Sequence, residues 1–250
     1  MYKYEKRILF HILSHLDQLD GKVIIDIAGT PTALNRHLLE QGVSEIHAIN
    51  LRKLHDGDGD KPSGYFHHIG DARNISPDMP QADMVLAVCA LEHLPDLPLI
   101  IQSAFERLRS KGILIMHGGP LWPSMLGHHV WVTTGASNYF FGQSSDPFPP
   151  WGHLSSTESQ LREQFSARGI PPAHVTLIMD QVFKSKAQNR LSVTQLRKFF
   201  SSSGKLLLDF HETRWGSPNK EVFHRIRSLG HDYSEDDLMT GEIIVIMKKP

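Results

Sequence analysis

The chain has 250 residues, a formal net charge of −1, and 40% hydrophobic and 21% charged residues. That is ordinary globular composition, enough for one α/β domain with insertions, and it gives no basic footprint for nucleic acid or an anionic membrane. No apolar run reaches spanning length, the N-terminal MYKYEKRILFHIL lacks a signal-peptide cleavage pattern, and the single Cys89 excludes an internal disulfide or a cysteine-based zinc site, so a soluble cytoplasmic protein is expected.

Periodicity predicts a first helix over 3–19, stopped by Asp20-Gly21, and then KVIIDIAG as a buried strand at 22–27. PTALNRHLLEQG reads as a helix with Thr30 or Thr32 as N-cap and Gly42 as its stop. SEIHAIN gives a strand at 45–50, RKLHDGDGDKPSG a polar loop, YFHHIG a strand at 65–70 and DMVLAVCAL a buried strand at 83–90. DLPLIIQSAFERLRSKG is a helix running to Gly112, and GILIMHGG a strand at 112–118. Residues 119–156 break this rhythm with Pro120, Pro123, Pro147, Pro149, Pro150, three Trp and three His, the composition of a functional loop or lid. Helical spacing returns in SSTESQLREQFSARG, capped by Ser156 or Thr157; a stretch at 170–190 without clear pattern precedes the helix SVTQLRKFFSSSG. Strands at 205–215 and 242–249 flank the helical NKEVFHRIRSLG. The alternation predicts an α/β chain: a Rossmann-like, doubly wound, mostly parallel seven-stranded sheet with helices on both faces, built as a single domain over 1–250 with 119–156 and 170–190 as a substrate-side insertion.

Five segments, in order, resemble those of class I S-adenosylmethionine-dependent methyltransferases. Asp26 stands at the acidic position before that family's Gly-x-Gly-x-Gly turn, whose glycines fall here on Ala28, Thr30 and Thr32, with Gly29 between them. Asn50, followed by Leu51, ends the second strand where the family has an acid for the ribose hydroxyls. Gly70-Asp71-Ala72-Arg73 resembles the segment whose acid reaches the adenine amino group. Ala82-Asp83-Met84-Val85 through Cys89-Ala90-Leu91-Glu92-His93-Leu94-Pro95-Asp96 resembles the fourth-strand segment that lines the sulfonium side, with Asp96 also able to cap the next helix. Leu108–Leu114 resembles the family's Leu-Lys-Pro-Gly-Gly turn. The resemblance implies S-adenosyl-L-methionine as cofactor, held by Asp26, Ala28, Gly29, Thr30, Asn50, Leu51, Asp71, Ala72, Cys89, Ala90 and His93. The Gly-x-Gly-x-x-Gly of a dehydrogenase is absent.

Methyl transfer needs an aligned nucleophile and an acceptor for its proton, a role that suits histidine. His128 and His129, with His93, are the catalytic candidates. Trp122, Trp131 and His153 are the substrate-side candidates, and an extended segment would aim only one of His128 and His129 inward. The alternative is an aromatic lid whose histidines cap backbone carbonyls. A metal on His128, His129 and His153 with Asp146 or Glu92 is not expected, because these residues lack the spacing of helical zinc motifs. His67 and His68 point to opposite faces of their strand and read as structural. The expected function is methylation of oxygen or nitrogen on a small-molecule substrate, without nucleic acid or membrane partners, and the first helix or the insertion could carry a homodimer contact. Two alternatives stay open on the same fold: a protein that binds a ligand or partner without turnover, and an enzyme catalysing a non-methylating reaction.

Overall fold

The apolar run after the first helix forms β1 (Val23–Ile27), buried along its whole length, as a central parallel strand covered on both faces must be. In this computed structural model, which describes residues 1–250 other than Asp17, Asp56, Asp58 and Ala136, β1 pairs in parallel with β2 (Glu45–Asn50) on one side and β4 (Ala82–Ala87) on the other. β3 (Tyr65–Ile69) lies parallel beyond β2, and β5 (Leu108–Gly118) parallel beyond β4. With β8 (Leu206–Arg214) and β9 (Thr240–Lys248) the sheet has seven strands in the order β3-β2-β1-β4-β5-β9-β8. Lys249 accepts a bond from Lys111 N–H and donates one to Gly112 O, which joins the start of β5 to the end of β9 and makes that pairing antiparallel. The strand order reverses between β1 and β4, so the carboxyl ends of these strands flank the crevice where open α/β sheets hold ligands.

The chain forms two compact units: residues 1–118, 199–211 and 244–250 make unit 1, and residues 119–198 and 212–243 make unit 2. In unit 1, α1 (Lys3–His15) and α2 (Ala33–Glu40) lay Ile8, Ile12, Leu34 and Leu38 on the sheet residues Ile24, Ile46, Met84, Ile115 and Ile244. The Glu5 carboxylate is buried and accepts from Tyr2 N–H at 2.6 Å and Leu34 N–H at 3.1 Å. One acid thus serves the N-terminal ends of two helices, where unpaired amides and the helix dipole favour negative charge. Asp83 ties β4 to β1 through Val23 N–H at 3.0 Å and is ion-paired with Arg109.

In unit 2 the core gathers Trp122, Val130, Phe148, Trp151, Leu161, Phe165, Ile178 and Leu238. Its elements include the antiparallel hairpin β6 (Trp131–Thr134) and β7 (Ser137–Phe140), α4 (Gly152–Ser155), α5 (Glu158–Ala167), α6 (Pro172–Met179), α8 (Lys220–Ser228) and α9 (Glu235–Met239). Among the described residues no helix is long and apolar enough to cross a membrane.

Several expected boundaries move, each for a local reason. α1 ends at His15 rather than 19 because Leu16 is extended, with ψ 126°; Asp17, within that expected span, lies outside the described residues, as do Asp56 and Asp58 of the expected polar loop and Ala136 of the insertion. The helix expected to reach Gly112, α3 (Leu97–Arg107), stops five residues sooner, because Leu108 turns extended and pairs with Ala82 before a register shift brings Ile113 opposite Met84. β4 ends at Ala87 rather than 90, and Cys89 just beyond it takes a left-handed φ of 49°. The insertion expected to lack periodicity contains the β6–β7 hairpin, and the patternless 170–190 contains α6 and a π-helical turn, Asp180–Lys184. Pro171 and Pro172 start α6, where their fixed φ and missing N–H do no harm. α7 (Val193–Ser202) falls on its expected segment.

Candidate functional site

The turn leaving β1 is shaped by what its residues lack. Ala28, on the first family glycine position, adopts φ +58°, the left-handed region where a Cβ is unfavourable by roughly 1–2 kcal/mol. Gly29 lies against Asp26 so closely that a Cβ would meet Asp26 Oδ2 at 2.5 Å. Thr32 caps α2, its hydroxyl accepting from Asn35 N–H at 3.2 Å, and Thr30 is half-buried beside it. Asp26 is fully buried and its Oδ2 accepts from Asn35 Nδ2 at 2.8 Å. Burial raises its pKa from 3.8 to about 7, and the Asn35 bond only partly opposes that rise.

Asn50 takes the place of an acid for a visible reason. Its Nδ2 donates to Ala28 O at 3.2 Å and Gly29 O at 3.4 Å. Two such bonds contribute about 0.5–1.5 kcal/mol each, comparable to the strain at Ala28. A carboxylate there would have nothing to donate.

Asn50 also lines a cavity of about 180 Å³ with Ala28, Leu51, Asp71, Ala72 and His93; Ile27, Ile49 and Ile100 complete apolar walls. Leu51 is 75% exposed at its rim. Asp71 ends the crossing from β3 and caps a 3-10 turn, Ala72–Asn74, through Arg73 N–H at 2.9 Å. Its carboxylate also receives Arg73 Nε at 3.0 Å and Nη2 at 2.5 Å. These bonds hold Asp71 below the usual carboxylate range, so it is ionised, and a carboxylate with about four acceptor sites retains capacity for a further donor. Asp26, Gly29, Thr30, Cys89 and Ala90 do not line this cavity.

Cys89 and Ala90 instead meet the end of β5. Cys89 N–H donates to His117 Nδ1 at 3.1 Å, its sulfur lies 3.5 Å from the same nitrogen, and Ala90 N–H donates to His117 O at 3.2 Å. Tyr4 of α1 stacks on the His117 ring, centroids 5.6 Å apart and 7° from parallel. Burial, followed by the charges of Cys89 and Glu5, raises the Tyr4 pKa, so its hydroxyl keeps its proton. A backbone N–H at Nδ1 means the neutral His117 ring carries its hydrogen on Nε2. Glu92, 3% exposed, packs here as well: a Cβ on Gly118 would meet its Oε2 at 2.7 Å. Asp96, which could have capped α3, adopts φ +52° and makes no side-chain cap bond. Tyr4 and His117 are absent from the sequence expectation. His117 leaves one signal, a histidine ending an otherwise apolar strand, whereas Tyr4 leaves none.

The insertion residues lie in unit 2. His128 and His129 are in a turn, with His129 N–H bonded to Leu126 O and His129 at φ +49°, not on the expected extended segment, because Gly127 fits against Trp122 O where no side chain could. His128 is buried, stacks on Phe148 and pairs with Asp146 at 3.4 Å. Burial alone would raise Asp146, but the His128 bond and charge, with Gly142 and Phe148 N–H, hold its pKa down. His153 bonds Trp122 O at 2.8 Å, and burial, then the neighbouring His128, keeps it neutral. Trp122 lies under the Arg190 guanidinium at 4.4 Å. His129 Nδ1 meets Gln188 Nε2 at 2.8 Å, and Trp131, 56% exposed, stacks on Phe140. His68 bonds His47 at 3.1 Å within the sheet.

Sheet order and switch point together make a Rossmann-like, doubly wound α/β fold. No protein-family model matches the sequence, and no curated protein matches it in sequence. Solved structures do match in fold. An S-adenosylmethionine-dependent methyltransferase from Mesorhizobium loti is 13% identical with a TM-score of 0.54, covering 96% of each chain. Haemonchus contortus phosphoethanolamine N-methyltransferase 2 in complex with S-adenosyl-L-methionine is 12% identical with a TM-score of 0.53, over 98% of this chain and 52% of that one. The [4+2]-cyclase SpnF is 12% identical with a TM-score of 0.51, over 98% of this chain and 81% of that one. At such identity the likeness shows the fold.

Two predictions follow from the turn. Folding raises the Asp26 pKa, so the stability that Asp26 contributes is full below about pH 4 and is lost as pH rises to about 7. Asp26→Asn, which still accepts from Asn35, should remove that dependence and gain up to roughly 4 kcal/mol at pH 8, read by urea unfolding at pH 4 and pH 8. Equal pH profiles for the two proteins would contradict a buried, protonated Asp26. Asn50→Asp, although it restores the family's acid, should lower stability by about 1–2 kcal/mol through loss of the bonds to Ala28 O and Gly29 O; an unchanged urea midpoint would show that the amide does not hold the turn.

Proposed function

We propose that the chain binds S-adenosyl-L-methionine and transfers its methyl group to oxygen or nitrogen of a small molecule. The observation that carries this reading is the cavity at the switch point, where apolar walls meet a charged Asp71 and the Asn50 amide. The donor set fits the cofactor's adenosine end: an ionised carboxylate accepts from an exocyclic amino group, an amide Oδ1 accepts from ribose hydroxyls, and Ile27, Ile49, Ile100 and Leu51 offer surfaces for a ring. Ala28 and Gly29 keep the turn low enough for a ligand to approach the N-terminal end of α2, where Thr30 offers a hydroxyl to a carboxylate. When bound, the cofactor supplies an electrophilic methyl group.

The chain's own task is then to position the acceptor in line with that methyl group. Tyr4, Cys89 and His117 form the polar group best arranged for this in unit 1. Tyr4 stays protonated and can donate a hydrogen bond that orients the acceptor, His117, fixed by Cys89 N–H, holds the Tyr4 ring in place by stacking, and the acceptor's proton leaves to water. His93 faces the cavity and remains a cofactor-side candidate. His128 and His153 are held by Asp146 and Trp122 O, which favours a structural role for both over a lid base.

A non-methylating reaction is the second reading. It is favoured by the Arg73–Asp71 pair and by an Asn50 amide already engaged with the turn, and a cyclase shares the fold.

Asp71→Ala should weaken S-adenosylmethionine binding about tenfold or more, near 1.4 kcal/mol, in calorimetry; an unchanged constant removes Asp71 from the site. With labelled cofactor and a panel of small amines, phenols and carboxylic acids, His117→Ala should reduce methyl transfer by about 10²-fold while leaving cofactor affinity within a few-fold. Full activity in His117→Ala would remove His117, and the Tyr4 ring stacked on it, from the positioning of the acceptor. Tight cofactor binding without transfer to any panel member would favour the second reading.

A further inference from the structure

The first helix holds a spacing that the expected site did not use: His11 and His15, four residues apart and hence on one face of α1. Facing them is Asp209 on β8. One ligand-type atom from each of the three residues lies within 4.8 Å of the others. His211, two residues along the same strand and so on the same side, brings its ring to 5.5 Å from that of His11. All four residues belong to unit 1.

The groups converge without satisfying one another. His11 Nδ1 and Asp209 Oδ2 are 3.8 Å apart, too far for a hydrogen bond. A tetrahedral ion bound at about 2.0–2.2 Å places its ligands roughly 3.3–3.6 Å apart, so closure needs side-chain shifts of only about an ångström. Two imidazoles and one carboxylate suit a borderline divalent ion such as Zn²⁺ and not Mg²⁺ or Ca²⁺, which prefer all-oxygen sets. We propose that His11, His15 and Asp209 form a Zn²⁺-class metal site joining α1 to the edge strand β8, with His211 or water completing the tetrahedron.

The site is separate from the cofactor cavity and does not rest on the methyl-transfer reading. It bears on that reading in one way. Tyr4 sits at the other end of α1, so an ion at His11 and His15 anchors the helix that lays Tyr4 on His117. A metal that ties two elements in the folded state but not in the unfolded chain stabilises by mass action.

The test uses the full chain without an affinity tag, stripped by chelator and titrated with ZnCl₂ in a calorimeter, with Co²⁺ absorbance as a check on coordination. One equivalent should bind at micromolar affinity or tighter and raise the Tm. His15→Ala and Asp209→Asn should each weaken that binding at least tenfold and abolish the rise in Tm. His224→Ala, an exposed histidine elsewhere, should change neither. Asp209→Asn keeps side-chain size at a half-exposed edge-strand position, so its circular dichroism spectrum should match that of the unaltered protein. Absence of a one-equivalent event, or equal binding in both variants, overturns the proposal.

Discussion

The turn between β1 and α2 is the constraint on which the site depends. Gly29 must have no side chain because the Asp26 carboxyl occupies the space beside it. Ala28 must then turn left-handed to bring the chain into α2, and Asn50 supports that turn by donating to both carbonyls. A strained backbone persists where its surroundings over-determine it, and here the Asp26 and Asn50 side chains do so. The turn departs from a run of glycines, yet the backbone follows the path that glycines would allow. Small residues and an amide provide what flexibility provides elsewhere.

From that turn outward, the unit is organised around the carboxyl ends of β4 and β5. Cys89 leaves β4 in a left-handed conformation, which brings both its N–H and its sulfur to His117 at the end of β5. Glu5 draws the N-terminal ends of α1 and α2 to one buried carboxylate, and this fixes Tyr4, one residue earlier, over the His117 ring. A charge buried to satisfy helix ends therefore positions an aromatic hydroxyl at the strand edge. The polar group joins Tyr4 of the first helix to Cys89 and His117 at two neighbouring strand ends, and none of its members carries meaning without the sheet order.

Much of the fold is legible in the sequence because it rests on local pattern. Val23–Ile27 and Glu45–Asn50 read as strands, since continuous apolar runs between turn residues have few other uses. Asp71 and His93 could be placed because their motifs sit at strand ends that the parallel topology brings together. What was not legible depends on packing. His128 reads as a catalytic base and His153 as a substrate-side residue in a Pro- and Trp-rich segment, but Asp146 and Trp122 O, partners that no spacing announces, lie against them in a core. The His11–His15 repeat was in plain view, but a repeat on a helix acquires chemical meaning only when Asp209 is seen opposite it.

The central claim is that this turn and its cavity hold S-adenosylmethionine despite the missing glycines. Isothermal titration of the unaltered protein with S-adenosylmethionine and S-adenosylhomocysteine tests it most directly. The account predicts one site per chain for each, with a Kd near micromolar, about −8 kcal/mol. No detectable heat with either, from protein whose circular dichroism shows it folded, would contradict the account.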